Sequence, residues 1–424
     1  MMEVEIEKLV HGGQGFGTLA DGRKVFVWGA LPGEKVLVRI IKGKRSYAEA
    51  IAEKVLQPSS VRVEPRENNY LATSPWQIVT FAAENNYKKR IISELFTQAH
   101  VVLPDFDMNA TGDEWHYRNK MEYSFWGDDE GLHLALHNRG SHQKTIVQGS
   151  ELALPAVDTA ARGVVEELSR HAIRAGELKT VIVRCTQDGV AVASLFVKGQ
   201  NFPELHLPAE LKGLRVFYSD PRSPAAVPTK LLYELGDCRL RDALLGQQFV
   251  YDADSFFQVN LPVFETALRR IKKHILRDEA LVDMYAGTGS IGLSVASKSV
   301  ELIELDPATA AMARMNAAES HLAAEVVEVS TEKALERIAG DKTIIFDPPR
   351  AGLHSKVVTR VLETLPPQVV YLSCNPATQA RDIAALQAAY QISYFEGFNF
   401  FPHTPHIETL AILEQSNGGA HSKL

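Results

Sequence analysis

Residues 250–424 constrain this chain most, because strand-like and helix-like runs alternate through them. "VFETALRRIKKHIL" has helical periodicity, "ALVDMYA" reads as a buried strand, and a Gly-rich turn and helix follow. "VELIELD", the Ala- and Met-rich "ATAAMARMNAAE", "EVVEV", "TIIFD", a further helix, "QVVYLSC" and "RDIAALQAAY" continue the pattern. Apolar strands separated by helices imply βαβ units and a parallel sheet covered on both faces. Ligands of such sheets bind at the carboxyl ends of the strands. Four groups fall at such ends: the glycine loop with Gly287 and Gly289, Glu304, Asp347 and Cys374.

The loop "DMYAGTGSIG" satisfies G-x-G-x-x-G, a spacing that lets backbone approach a nucleotide, and Glu304 is placed to accept from a ribose diol. Nicotinamide-dependent dehydrogenases and S-adenosylmethionine-dependent methyltransferases share both features. Asp347 opens "DPPR" directly after an apolar strand. An acid-Pro-Pro turn there can hold a planar base and has no role in hydride transfer; the plainer reading is an Asx-Pro turn. Cys374, in "YLSCNPATQARD", ends another apolar strand, where a cysteine can also be ordinary core. A thiolate in that place has a chemical use. Addition to carbon 6 of a pyrimidine makes carbon 5 nucleophilic towards a methyl-sulfonium, and a base must then remove the carbon 5 proton. "FPHTPHIETLAILE" offers His403, His406 and Glu408 for that step.

The rest of the 424 residues divides in two. Residues 1–57 read as short strands with Gly, Asp-Gly and Pro-Gly turns, which suggests a small OB-like barrel. Within it "KVLVRIIKGKRSYA" holds basic residues and no acidic one, as either a track for a phosphate backbone or a lysine-protected edge strand. Residues 58–249 mix a helical run, "ENNYKKRIISELFTQAH", with a hairpin, "KTVIVRCTQDGVAVASLFV", and read as α+β. The net charge of -7 does not advertise a nucleic-acid binder, although residues 1–57 are net basic. Three cysteines exclude a disulfide framework and a four-cysteine metal site. No apolar run is long enough to span a membrane, and "MMEVEIEKLV" lacks a signal-peptide core, so a cytoplasmic protein is expected.

Taken together, "FFQVN", "DPPRAGL", "SCNPAT" and "FPHTPHIET" resemble the RNA uracil-C5 methyltransferases, and "GGQGFGTLADGRKVFVWGALPGEKV" is similar to their TRAM domain. The resemblance spans nearly the whole chain. It implies an RNA-binding TRAM barrel (1–57), a central α+β domain for RNA recognition (58–249) and a class I methyltransferase domain with a Rossmann-like sheet (250–424). It implies Cys374 as nucleophile and Glu408 as base. Gln258, Tyr285, Gly287, Gly289, Glu304 and Asp347 would hold S-adenosylmethionine, with Asp347 also touching uracil. Phe256 or Phe257 would stack on a flipped base, and Arg118 of "YRNK" would lie near the RNA. The sequence departs from the family in two places. Where many relatives have four cysteines for a [4Fe–4S] cluster, this chain has Glu67, Thr73, Trp76 and Ser150, so no cluster is expected. Ser330 stands where many relatives have an acid near the adenine.

The expected enzyme therefore makes 5-methyluridine, with 23S rRNA as the first candidate and a tRNA T-loop uridine as the second, and a monomer is the simplest state. Three competing readings are a nucleic-acid N-methyltransferase using "DPP", an RNA-binding protein without catalysis, and a nicotinamide-dependent oxidoreductase. Arg350 stands where the first usually has an aromatic; Cys374 and Glu408 argue against the second; the third rests on the glycine loop alone.

Overall fold

The computed structural model describes residues 1–141, 143–223, 226–276 and 280–416. The chain forms two compact units. One comprises Met1–Tyr87, Asp113–Leu240 and Phe401–His406; the other comprises Lys88–Gly112, Arg241–Phe400 and the chain from Ile407 onward.

In the first unit, strands Met2–Leu9, Gly15–Thr18, Lys24–Trp28, Lys35–Gly43 and Tyr47–Gln57 close into a barrel. Strict alternation sends Val4, Ile6, Val25, Val27, Val36, Val38, Ala48 and Ala50 inward. Glu34, of the Pro-Gly-Glu turn, is fully buried. Its carboxylate accepts from the Leu31 and Ser59 amides and from the Arg62 guanidinium, so "LQPSS" is latched to the barrel at its far end. A seven-stranded mixed sheet follows, and helix Pro155–Arg170 packs Val157, Ala160, Ala161, Val164 and Leu168 against it.

The second unit carries the sheet that the alternation predicts. Its strands are β1 (Ala280–Asp283), β2 (Ser299–Glu304), β3 (Ala323–Glu328), β4 (Lys342–Phe346), β5 (Gln368–Ser373), β6 (Tyr390–Phe398) and β7 (Glu408–Gln415). Their order is β3-β2-β1-β4-β5-β7-β6, with the short strand Met108–Asn109 beyond β6. β1 to β5 are parallel, and β7 runs antiparallel between β5 and β6. The connecting helices are α1 (Leu261–His274), α2 (Ser290–Val295), α3 (Pro307–Glu319), α4 (Ser355–Thr364) and α5 (Pro376–Leu386). The order reverses between β1 and β4, which opens a crevice at their carboxyl ends. No described helix is long and apolar enough to cross a membrane.

Candidate active site

The glycine loop leaves β1 at Asp283. Gly287 adopts φ 57°, and a Cβ there would meet no atom within 4 Å, so the loop backbone faces open space. Gly289 adopts φ 84° as the N-cap of α2, where a Cβ would come within 2.9 Å of Leu293. Its absent side chain serves helix–sheet packing, whereas that of Gly287 leaves room for a ligand. The Glu304 carboxylate, at the end of β2, accepts from the Gly287 amide at 2.9 Å and the Asp306 amide at 2.8 Å. It is thus fixed at the rim of the loop with lone pairs to spare. Half-buried Tyr285 is bonded to Thr331, and its phenol is pushed up to about 12, chiefly by burial. Thr331 in turn donates to the Met284 carbonyl. Ser330 caps the short turn that carries Thr331 and makes no side-chain capping bond. Gln258 is buried just ahead of α1. An exposed backbone cradle, a ribose-type acceptor and a neighbouring phenol suit an adenosyl group.

The next group gathers at the ends of β4, β5 and β7. Ser373 pairs with Thr409 across β5 and β7, so Cys374 and Glu408 are neighbours one step further out. Asp347 follows β4, the other neighbour of β5. Burial pushes the Cys374 thiol up to about 12, helped by Glu408 and Asp347 and opposed by Arg350. Burial also raises the Glu408 carboxyl well above its ordinary value, with Asp347 adding and Arg350 opposing. Asp347 is raised to about 7 by burial and by Asp283. A thiol, two carboxyls raised by burial and one opposing cation therefore share one electrostatic neighbourhood, a pattern of acid–base chemistry more than of packing.

Helix α5 clamps this group. Asn375 caps it by accepting from the Ala377 amide, and its Nδ2 donates to the Arg350 carbonyl at 2.8 Å. Gln379, fully buried, donates to the Tyr371 carbonyl and accepts from the Thr409 hydroxyl, beside Glu408. Asp382 accepts from the Leu353 amide and the Tyr371 hydroxyl. "SCNPATQARD" is thus a cysteine plus the clamp that aims it.

Asn316, buried within α3, was not legible as a functional residue. Its amide donates to the carbonyls of Thr288 and Val250 and accepts from the Val250 amide, which joins the glycine loop to strand Gln247–Asp252. The one available signal was a polar residue amid alanines. Arg350, seen in the sequence only as a non-aromatic residue, is the cation of the site.

Other predicted residues lie differently. Phe257 is buried, with its ring stacked on Tyr251 at 4.1 Å, so that face cannot take a base; Phe256 is 66% exposed. Arg118 belongs to the first unit, where its backbone pairs with Leu152 and Leu154 and its guanidinium lies 6.0 Å from the Phe401 ring. His403 also belongs there. It adopts φ 61°, stacks on Trp115 at 3.7 Å, and its backbone N–H donates to Glu84. The positions matched to cluster cysteines are built into the first unit by hydrogen bonds. Glu67 accepts from Gln77 and the Glu151 amide, Trp76 donates to the Gly13 carbonyl, and Ser150 accepts from the Leu152 amide.

On the barrel, most of the basic strand is neutralised. Lys35 pairs with Glu3, Arg39 with Glu53 and Lys42 with Glu49, which argues against a phosphate track, and the strand is no protected edge either, because the closed barrel pairs it on both sides. The same outer surface, where Phe26 pairs in register with Glu49, carries half-buried rings: Phe16 lies opposite Phe26, and Tyr47 packs edge-on to Phe26. Lys24 sits over Phe16, and Lys44 and Arg45 occupy the adjoining hairpin tip.

Comparison with known proteins agrees with this geometry. Residues 239–416 match the family model described as tRNA (Uracil-5-)-methyltransferase, and residues 1–52 match the TRAM domain. A protein of Enterococcus faecalis named an uncharacterized RNA methyltransferase is 28% identical over 98% of this chain and 97% of its own length. One of the same name from Thermotoga maritima is 27% identical over 97% and 98%. The crystal structure of Pyrococcus abyssi tRNA (uracil-54, C5)-methyltransferase in complex with S-adenosyl-L-homocysteine superposes with a TM-score of 0.80 at 22% identity. It covers 97% of this chain and 100% of that one, so the two share a fold. With a strand-end glycine loop and a cysteine–carboxylate pair in one sheet, and with both family models matched, residues 239–416 belong to the S-adenosylmethionine-dependent RNA (uracil-5-)-methyltransferases and residues 1–52 are a TRAM domain.

Proposed function

We propose that this enzyme makes 5-methyluridine through a covalent adduct between Cys374 and carbon 6 of uracil, with a 23S rRNA uridine as substrate. The observation that carries the mechanism is the adjacency of Cys374 and Glu408 at neighbouring strand ends, in one field with Asp347 and Arg350. The thiol gives its proton to solvent, a step that the Arg350 charge favours. The sulfur adds to carbon 6, and the electrons of the 5,6 double bond move to the carbon 4 oxygen. S-adenosylmethionine, when bound, supplies its methyl group to carbon 5. Glu408 then takes the carbon 5 proton, the double bond re-forms, and the sulfur departs as thiolate, for a net release of one proton. A carboxylate held above its ordinary range is the stronger base for that last step.

Gln258, Tyr285, the Gly287–Gly289 loop and Glu304 are assigned to the cofactor, with Asp347 between it and uracil. Phe256, the exposed ring of "FFQVN", is assigned to the flipped base. Residues 1–57 would hold RNA, 58–249 would contribute recognition, and 250–424 would catalyse. Within the barrel, the Phe16–Phe26–Tyr47 face and its Lys44–Arg45 tip suit unpaired bases, because this is the strand face and hairpin loop with which OB-type barrels bind single strands.

A tRNA uridine is the second reading, favoured by the family description and by the substrate named for the Pyrococcus enzyme. Mapping 5-methyluridine in total RNA of a deletion strain separates the two: loss from rRNA supports the first, and loss from tRNA alone supports the second. The mechanism is tested with RNA containing 5-fluorouridine. Wild type should trap a covalent adduct and Cys374→Ala none, while Glu408→Gln should accumulate adduct on ordinary RNA. Carbon 5 methylation by Cys374→Ala would refute the scheme.

A further inference from the structure

The helix Pro155–Arg170 ends in a cluster that methyl transfer does not use. Glu167, in its last turn, is 2% exposed, and His171 is the C-cap residue. His206 comes from residues 198–210, which connect strands Ala191–Val197 and Leu211–Tyr218. Those strands are parallel neighbours, a connection that usually needs a helix. Residues 198–210 contain none and rely on tethers. The Tyr233 hydroxyl donates to the Pro203 carbonyl at 2.7 Å, and Glu167 Oε1 accepts from the His206 amide at 2.7 Å. The same Oε1 lies 3.0 Å from His206 Nδ1 and 3.0 Å from His171 Nε2, and the three ligand atoms all fall within 4.8 Å of one another.

We propose that Glu167, His171 and His206 form a zinc site that staples this helix-free crossover to the helix end. Two imidazoles and one carboxylate, with water in the fourth position, match zinc's donor preference. Separations of 3.0 Å are close to the ligand–ligand edge of a tetrahedron whose bonds are about 2.0–2.1 Å. Zinc would displace the ring protons now directed at Oε1. Arg170 lies 3.1 Å from Oε2 but is largely exposed, and Glu166 is an alternative partner at 3.8 Å. His206 is 86% exposed at its side chain, which gives the ion an entry path.

The test uses the full-length, tag-free protein and zinc alone, with affinity read by competition against a chromogenic chelator and cobalt substitution as a spectroscopic check. Wild type should bind one equivalent, gain thermal stability and give a tetrahedral cobalt spectrum. His206→Ala and His171→Ala should each bind more weakly by more than the roughly 10- to 100-fold that loss of an outer-shell partner costs, and lose the stability gain. The exposed position of His206 keeps its variant folded, and unchanged methyl transfer by that variant would verify this. Absence of zinc binding in wild type, or undiminished wild-type affinity in the two variants, would overturn the proposal.

Discussion

The side-chain amide of Asn375 donates to the carbonyl oxygen of Arg350 across 2.8 Å, which ties the residue after Cys374, the proposed nucleophile, to the turn carrying Asp347 and Arg350. The backbone beside the thiol and that of its opposing cation are therefore tied together, by this bond and by one from the Thr378 hydroxyl to the same carbonyl at 3.3 Å. Asn375→Ala removes that bond and the α5 cap, at a cost of about 1 kcal/mol in stability. Misplacement of reacting groups is more serious, and kcat should fall by about 10²-fold while S-adenosylmethionine binding is unchanged. Single-turnover kinetics with a calorimetric cofactor titration would check this. An unchanged kcat would show that the bond does not aim Cys374.

The adjacent rings of "FFQVN" should separate cleanly under mutation. Phe257 is buried on Tyr251, so Phe257→Ala should cost about 3–5 kcal/mol of stability by leaving a cavity. Phe256 is exposed, and Phe256→Ala should leave the melting temperature unchanged while weakening use of RNA by about 1–3 kcal/mol, the usual worth of one base–aromatic stack. Melting curves and KM for RNA would distinguish them. A destabilised Phe256 variant with normal RNA kinetics would reverse the assignment.

These two residues show where sequence reading loses force. Cys374, Asp347 and Glu304 were legible because the apolar strands before them are strongly periodic and the ends of such strands meet ligands. Which of two neighbouring phenylalanines faces solvent was not, since residues 254–258 form no periodic element. Asn316 and Gln379 were equally hidden. Each acts on backbone far away in sequence, Asn316 on Thr288 and Gln379 on Thr409, and no local pattern encodes such partners. The two readings of the basic strand stayed open for the same reason, because Glu3, Glu49 and Glu53 meet it only once the strands pair.

The ring cluster and the paired cations of the barrel give opposite expectations for RNA. Phe16→Ala and Tyr47→Ala should each weaken RNA binding by about 1–3 kcal/mol with little change in salt dependence. Lys44→Ala and Arg45→Ala should each lower the slope of log affinity against log salt by about 1. Lys35→Ala and Arg39→Ala should change neither, because those charges are already paired. Filter binding over a salt series reads all three outcomes, and a larger loss from Lys35 or Arg39 than from the aromatic residues would restore the basic strand as the RNA track.

Stability should fall as pH rises from about 4 to 7, and Asp283 should account for part of the fall. Its ordinary value is 3.8, whereas in the fold burial raises it to about 7. Between those values the native state keeps a proton that the unfolded chain has released, so the unfolding free energy declines through that window and levels off above it. The stabilisation is fully present only on the acid side. Asp283→Asn cannot ionise but can still accept from the Gly292 amide, as the aspartate does at 2.9 Å. Relative to wild type, the variant should gain on the order of a few kcal/mol between pH 4 and pH 8. Urea titrations of both proteins at several pH values would measure this, and a stability difference that does not vary with pH would mean that Asp283 is not held protonated by its burial.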